Sequence, residues 1–179
     1  MPSRRTLLLA GIAGATALVA AGWLRSGRNA QAVVTGTAGP PSLVPDAHAV
    51  IAAVTPVFLD GALPSDPAAA AAAARETVIN VGIAIAGLPP AAQGELGQLF
   101  ALLGFAPARI ALAHVSAPWP EASRADIVAF LESWRSSRFL LFHSAYAALH
   151  QLVFAAWYGN PASWPAIGYP GPPALPAPA

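Results

Sequence analysis

The chain is expected to be all-α: a small helical bundle with a Pro-rich irregular C-terminal arm, preceded by an N-terminal signal helix. Three observations point there. Apolar residues recur at three- and four-residue spacing through the second half of the chain. An alanine run, Ala68–Ala74, follows a strong helix start at Ser65-Asp66-Pro67. No alternating apolar and polar run bounded by hairpin turns occurs, the pattern that a half-buried strand leaves.

The first element is an address. Ser3-Arg4-Arg5-Thr6-Leu7-Leu8 precedes an uncharged stretch from Thr6 to Leu24, and Ala30-Gln31-Ala32 closes the segment. A basic start, an apolar middle and a small-x-small end are the three parts of an export signal. Paired arginines directly before the apolar run resemble the twin-arginine motif, which exports folded proteins. Leu7 and Leu9 stand where that motif commonly has Phe and Lys. Residues 1–32 therefore read as a twin-arginine signal carried by Arg4 and Arg5, with cleavage after Ala32 directed by Ala30 and Ala32. The alternative is a retained anchor, since the nineteen uncharged residues approach the roughly 20 that span a bilayer. Either way the remainder is expected outside the cytoplasm, in the periplasm.

Residues 33–45 form a Gly/Pro/Thr/Ser linker, and 46–158 the helical domain. Asp46 to Leu59 reads as a short helix interrupted by Pro56. The next helix begins at Asp66-Pro67, an oxygen-bearing cap followed by proline in the first turn, and runs through Val78, Val81 and Ile85 to a stop at Gly87. Pro90 to Leu103 is a third, ended by Gly104, and Pro107 to Val115 a short fourth. From Pro120 to Arg135, Ile127, Phe130, Leu131 and Trp134 fall on one helical face. The longest helix runs from about Arg138 to Tyr158, with Phe139, Phe142, Tyr146, Leu149 and Val153 along one seam, and Gly159-Asn160-Pro161 ends it. Residues 159–179 are the arm, with seven prolines in the last twenty residues.

Composition excludes much chemistry. Apolar residues are 56% of the 179 and charged residues only 9%, against about 25% in an ordinary domain. A disordered chain needs the reverse. The net charge of +1 comes from nine arginines and eight acids, with no lysine, so there is no basic footprint for nucleic acid. Four of those arginines lie in the signal; the exported part has five against eight acids, a net of −3. The absence of cysteine removes disulfides, thiolate metal sites, covalent haem and cysteine nucleophiles. The absence of lysine removes Schiff-base chemistry and P-loop phosphate binding. His143 and His150 share a helix but lie about 10 Å apart along it, too far for one metal. No Gly-x-Ser-x-Gly or Gly-x-Gly-x-x-Gly pattern occurs. No catalytic, cofactor-binding or metal-ligating residue is therefore expected, and His143 with Tyr146 would be the least unsuitable pair if the chain were a catalyst.

After Arg138 the remaining 41 residues carry no formal charge. A transmembrane helix at 139–158 is one explanation. His143, His150 and Gln151 near its middle count against it, because polar groups are costly in lipid. The other is a core helix followed by an arm laid on a partner or folded back on the bundle, and both can hold along different faces.

The stretches Trp134-Arg135-Ser136-Ser137-Arg138, Tyr146 to His150, Ala156-Trp157-Tyr158-Gly159-Asn160-Pro161-Ala162-Ser163-Trp164 and Gly168-Tyr169-Pro170-Gly171-Pro172-Pro173 resemble the small subunit of membrane-bound, FAD-dependent sorbitol dehydrogenases, related to the small subunits of gluconate and glucose dehydrogenases. The likeness is specific over about 119–173. It implies that FAD and the active site belong to a separate large subunit of the glucose–methanol–choline type, often with a cytochrome c subunit. This chain would then carry the signal, take the folded large subunit through the twin-arginine translocon, and remain as a stabilising partner, associated peripherally with the membrane through the complex. Trp134, Arg135, Tyr146, His150, Trp157, Tyr158, Trp164 and Tyr169 are the expected interface residues. A stand-alone periplasmic helical protein binding a small apolar ligand is the alternative.

Overall fold

A computed structural model describes residues 34–35 and 41–172. Six α-helices follow a two-residue antiparallel ladder, β1 (Val34–Thr35) against β2 (Ser42–Leu43). The ladder is the only ordered pairing in the expected linker among the described residues, and it lies against the second helix.

Helix α1 (Pro45–Phe58) opens with proline in its first turn and Asp46 at the positive end of its dipole. Ala47, Val50, Ile51, Val54 and Thr55 form its buried face. The expected interruption at Pro56 does not occur. A proline costs the helix one backbone hydrogen bond, but Leu59 N–H still reaches the Thr55 carbonyl at 3.0 Å, and the helix ends two residues later. Buried Thr55 donates its hydroxyl to the Ile51 carbonyl at 2.7 Å, so no polar group is stranded.

Helix α2 (Pro67–Ala86) begins where its cap predicts. The Asp66 carboxylate accepts from Ala69 N–H at 2.7 Å, and Val78, Val81 and Ile85 turn inward. Gln93 of α3 (Pro90–Gly104) donates its amide to the Leu88 carbonyl at 2.9 Å, closing the α2–α3 turn. At Gly104 a Cβ would stand 2.5 Å from Asp46 Cγ, so only glycine lets the end of α3 approach the start of α1 this closely. The short α4 (Ala106–Ala108) runs into one turn of π-helix, Arg109–Ala113. Buried Arg109 holds the following loop, its Nε donating to the Val115 carbonyl at 3.1 Å and its Nη2 to that of Ser116 at 3.2 Å.

The helix expected from Pro120 starts later. A 3₁₀ turn, Trp119–Glu121, comes first, and α5 spans Arg124–Arg135. Ser123 is the reason: its hydroxyl oxygen accepts from Asp126 N–H at 3.1 Å and its O–H donates to the Asp126 carboxylate at 2.7 Å, a reciprocal cap that fixes the start. Ile127, Phe130, Leu131 and Trp134 are all buried, as their spacing predicts. Helix α6 (Leu140–Tyr158) begins two residues later than expected, and Phe139 falls outside the seam, 58% exposed.

Helix α1 is the hub, packing against α2, α3, α5 and α6. Ile51, Val54, Val81, Phe100, Phe130, Leu149 and Val153 meet in one core. Helices α2 and α6, the two longest, pack on each other. Among the described residues α2 is the one single helix long and apolar enough to cross a membrane; here its inner face packs on α1 and α6.

The described part of the arm, residues 159–172, is more ordered than its prolines suggest. A 3₁₀ helix, Pro161–Ile167, folds back on the end of α6. The buried Ser163 hydroxyl donates to the Trp157 carbonyl at 2.9 Å, Trp164 Nε1 to that of Tyr158 at 2.8 Å, and Asn160 Nδ2 to Glu76 of α2 at 2.8 Å.

Candidate functional site

Two surfaces flank α6. The first is an aromatic ladder. Tyr146, His150, Phe154 and Tyr158 recur every fourth residue and therefore stack along one side of the helix. The His150 and Phe154 rings lie 4.2 Å apart and nearly parallel; Tyr146 to His150 is 5.9 Å and Phe154 to Tyr158 is 5.7 Å. Phe58, at the end of α1, sets its ring edgewise against three of them, at 5.7 Å from Tyr146, 5.4 Å from His150 and 6.4 Å from Phe154. These are the offset and edge-to-face geometries that ring quadrupoles prefer. All five rings are partly exposed, so the ladder is both locked and accessible.

The second surface is an apolar groove of about 940 Å³. Leu96, Leu99 and Leu102 of α3 form one wall, and Leu141, Ala145, Ala148 and Leu152 of α6 the other. The Trp134 ring lies at its base, stacked on Phe142 at 5.3 Å, with Nε1 donating to the Leu112 carbonyl at 2.9 Å. Polar groups are few: Glu95 and Gln98 from α3, Ser144 and Gln151 from α6. The side chains of Gln98, Ser144 and Gln151 make no hydrogen bond to another described residue. The groove exists because α3 and α6 both lean on α1 and leave space between themselves.

The residues expected at a partner interface divide between these places. Tyr146, His150 and Tyr158 share the ladder. Trp164 and Tyr169 pair edge to face at 5.2 Å beyond the end of α6. Arg135 is exposed and bridges Glu132 at 2.8 Å. Trp134 and Trp157 are 3% and 7% exposed; both belong to the core, because the apolar faces of α5 and α6 turn them inward. Arg4, Arg5, Ala30 and Ala32 lie outside the described residues. Phe58 and Phe154 complete the ladder and were not expected there. Phe154 was legible in the four-residue register of 146, 150 and 158, whereas Phe58 comes from a distant helix with no local signal.

His143 is exposed, while His150 sits among rings. Among the described residues no three His, Asp or Glu side chains are placed to hold a metal ion. No protein family, curated protein or solved structure matches the chain.

Proposed function

We propose that the chain is the non-catalytic small subunit and export partner of a periplasmic, FAD-dependent sugar or polyol dehydrogenase of the glucose–methanol–choline type. One observation carries this reading: an accessible, pre-locked aromatic ladder on a segment without formal charge. Tyrosine and other large rings on a charge-poor patch are what protein interfaces use as anchors. Rings already fixed by Phe58 lose little side-chain freedom on docking. The twin-arginine start supports the same reading, since that route serves cargo that folds around a cofactor before export. The likeness of residues 119–173 to dehydrogenase small subunits supplies the partner class.

Deleting the chain is expected to leave the flavoprotein in the cytoplasm or unstable, and Arg4→Lys with Arg5→Lys to retain both proteins there. Cell fractionation with flavin fluorescence reads the outcome. Normal export and activity of the flavoprotein without this chain would overturn the proposal.

The groove favours a second reading, a binding site for a small, elongated apolar ligand. Its volume lies within the range of small-molecule pockets, and a few polar groups on a largely aliphatic lining are typical of them. The fluorescent apolar probe N-phenyl-1-naphthylamine is expected to bind the wild type and not Ala148→Trp, which fills the space. Equal binding to both would exclude the groove.

A further inference from the structure

The two most exposed large apolar side chains among the described residues are neighbours. Leu140 is 79% and Leu141 73% exposed, and Phe139 beside them is 58% exposed. They form the corner where α5 hands over to α6, away from the aromatic ladder, and only Leu141 touches the groove. Two cations frame them. Arg135 closes α5, and Arg138 sets its guanidinium 5.5 Å from the centre of the Phe139 ring. Arg138 makes no ion pair among the described residues, and the last acid of the chain, Glu132, is engaged by Arg135.

We infer that this corner docks on an anionic lipid bilayer, with Phe139, Leu140 and Leu141 entering the interface and Arg138 meeting headgroup phosphates. Two features select a lipid surface over a protein. Leu140 and Leu141, the first two residues of α6, project about 100° apart. The cap residue Phe139, its ring edge to face with Phe142 at 6.1 Å, stands beside them, so the corner is apolar on more than one side. A protein pocket matches one face of a helix, whereas a fluid interface surrounds a projecting knuckle from all sides. The charge is also complementary: free positive charge sits at this corner of a domain whose net charge beyond residue 32 is −3, and such charge is drawn to anionic headgroups. A shallow insertion of about 5–10 Å, as for interfacial anchors, accommodates three side chains. The inference stands apart from the flavoprotein reading and uses none of the ladder.

Because the chain has no cysteine, Leu140→Cys gives a unique attachment point for the environment-sensitive dye NBD in the full chain. Ala129→Cys, on the exposed side of α5, is the control. The control matters because the N-terminal apolar run can itself tether the chain to vesicles, without burying residue 140. With vesicles of phosphatidylglycerol and phosphatidylethanolamine, the dye at 140 is expected to brighten and shift to the blue, and the dye at 129 to stay unchanged. Arg138→Gln is expected to weaken this response about fivefold, and neutral phosphatidylcholine vesicles to weaken it by at least that factor. Unchanged far-UV circular dichroism shows that the variants fold. The same response at 129, or none at 140, would overturn the inference. So would a response at 140 to the flavoprotein alone, which would assign the corner to a protein interface. Equal response to neutral vesicles would overturn the anionic assignment.

Discussion

The two flanks of α6 come from one charge-free helix and yet present opposite surfaces. On the first flank a ring stands at every fourth position, from Tyr146 to Tyr158, and Phe58 from α1 fills the spaces between them. On the second flank Ala145, Ala148 and Ala155 stand between and beside Leu141 and Leu152, with Leu96, Leu99 and Leu102 of α3 across an open groove. One helix backbone carries both flanks, so the side chains each presents, rings on one and aliphatic groups on the other, separate a filled surface from an open one. A filled flank suits recognition of a folded partner, whereas an open aliphatic flank suits a ligand that brings its own bulk.

Substitutions that empty one flank or fill the other test this contrast. Trp134→Ala has the largest expected effect, because it removes the base of the groove and leaves the Leu112 carbonyl without its donor. A loss of about 3–5 kcal/mol in urea unfolding is expected. A small loss would mean that the groove does not depend on its base. Phe58→Ala is expected to cost less, about 2–3 kcal/mol, because the ring is only partly buried. It should also raise the mobility of the Tyr146 and His150 rings in NMR relaxation, and unchanged mobility would show that the ladder stands without Phe58. His150→Ala is expected to cost about 1 kcal/mol, and His150→Phe to stay within about 0.5 kcal/mol of the wild type, since stacking on Phe154 is the contact at stake. If Phe were as damaging as Ala, the imidazole nitrogens would matter more than the ring. Ala148→Leu should shift stability by less than about 1 kcal/mol, because it adds methylenes to open space. It should also lower probe binding in the groove, and a large destabilisation would mean that the groove is tighter than its volume implies.

The sequence carried the helices well where a local device fixes them. Asp66 with Pro67, the face from Ile127 to Trp134, and Gly87 each act within one or two turns, and the structure follows them. The expected start of α5 at Pro120 gives way to the Ser123–Asp126 cap, which is equally local. Trp134 lay on a recognisable apolar face and so was legible as core; its place among the expected interface residues rested on the likeness to dehydrogenase subunits. The groove was not legible, since it depends on how far apart α3 and α6 stand on α1, which no local pattern encodes. Phe58 was hidden for the same reason.

The carbonyls at the end of α6 are satisfied by a serine hydroxyl and a tryptophan N–H, both neutral, where many helices rely on a lysine or arginine to offset the negative end of the dipole. Salt screens charged contacts at a surface but leaves neutral hydrogen bonds largely unaffected. This terminus is therefore insulated from ionic strength, and only the exposed Asn160–Glu76 contact of the fold-back should respond to concentrated saline.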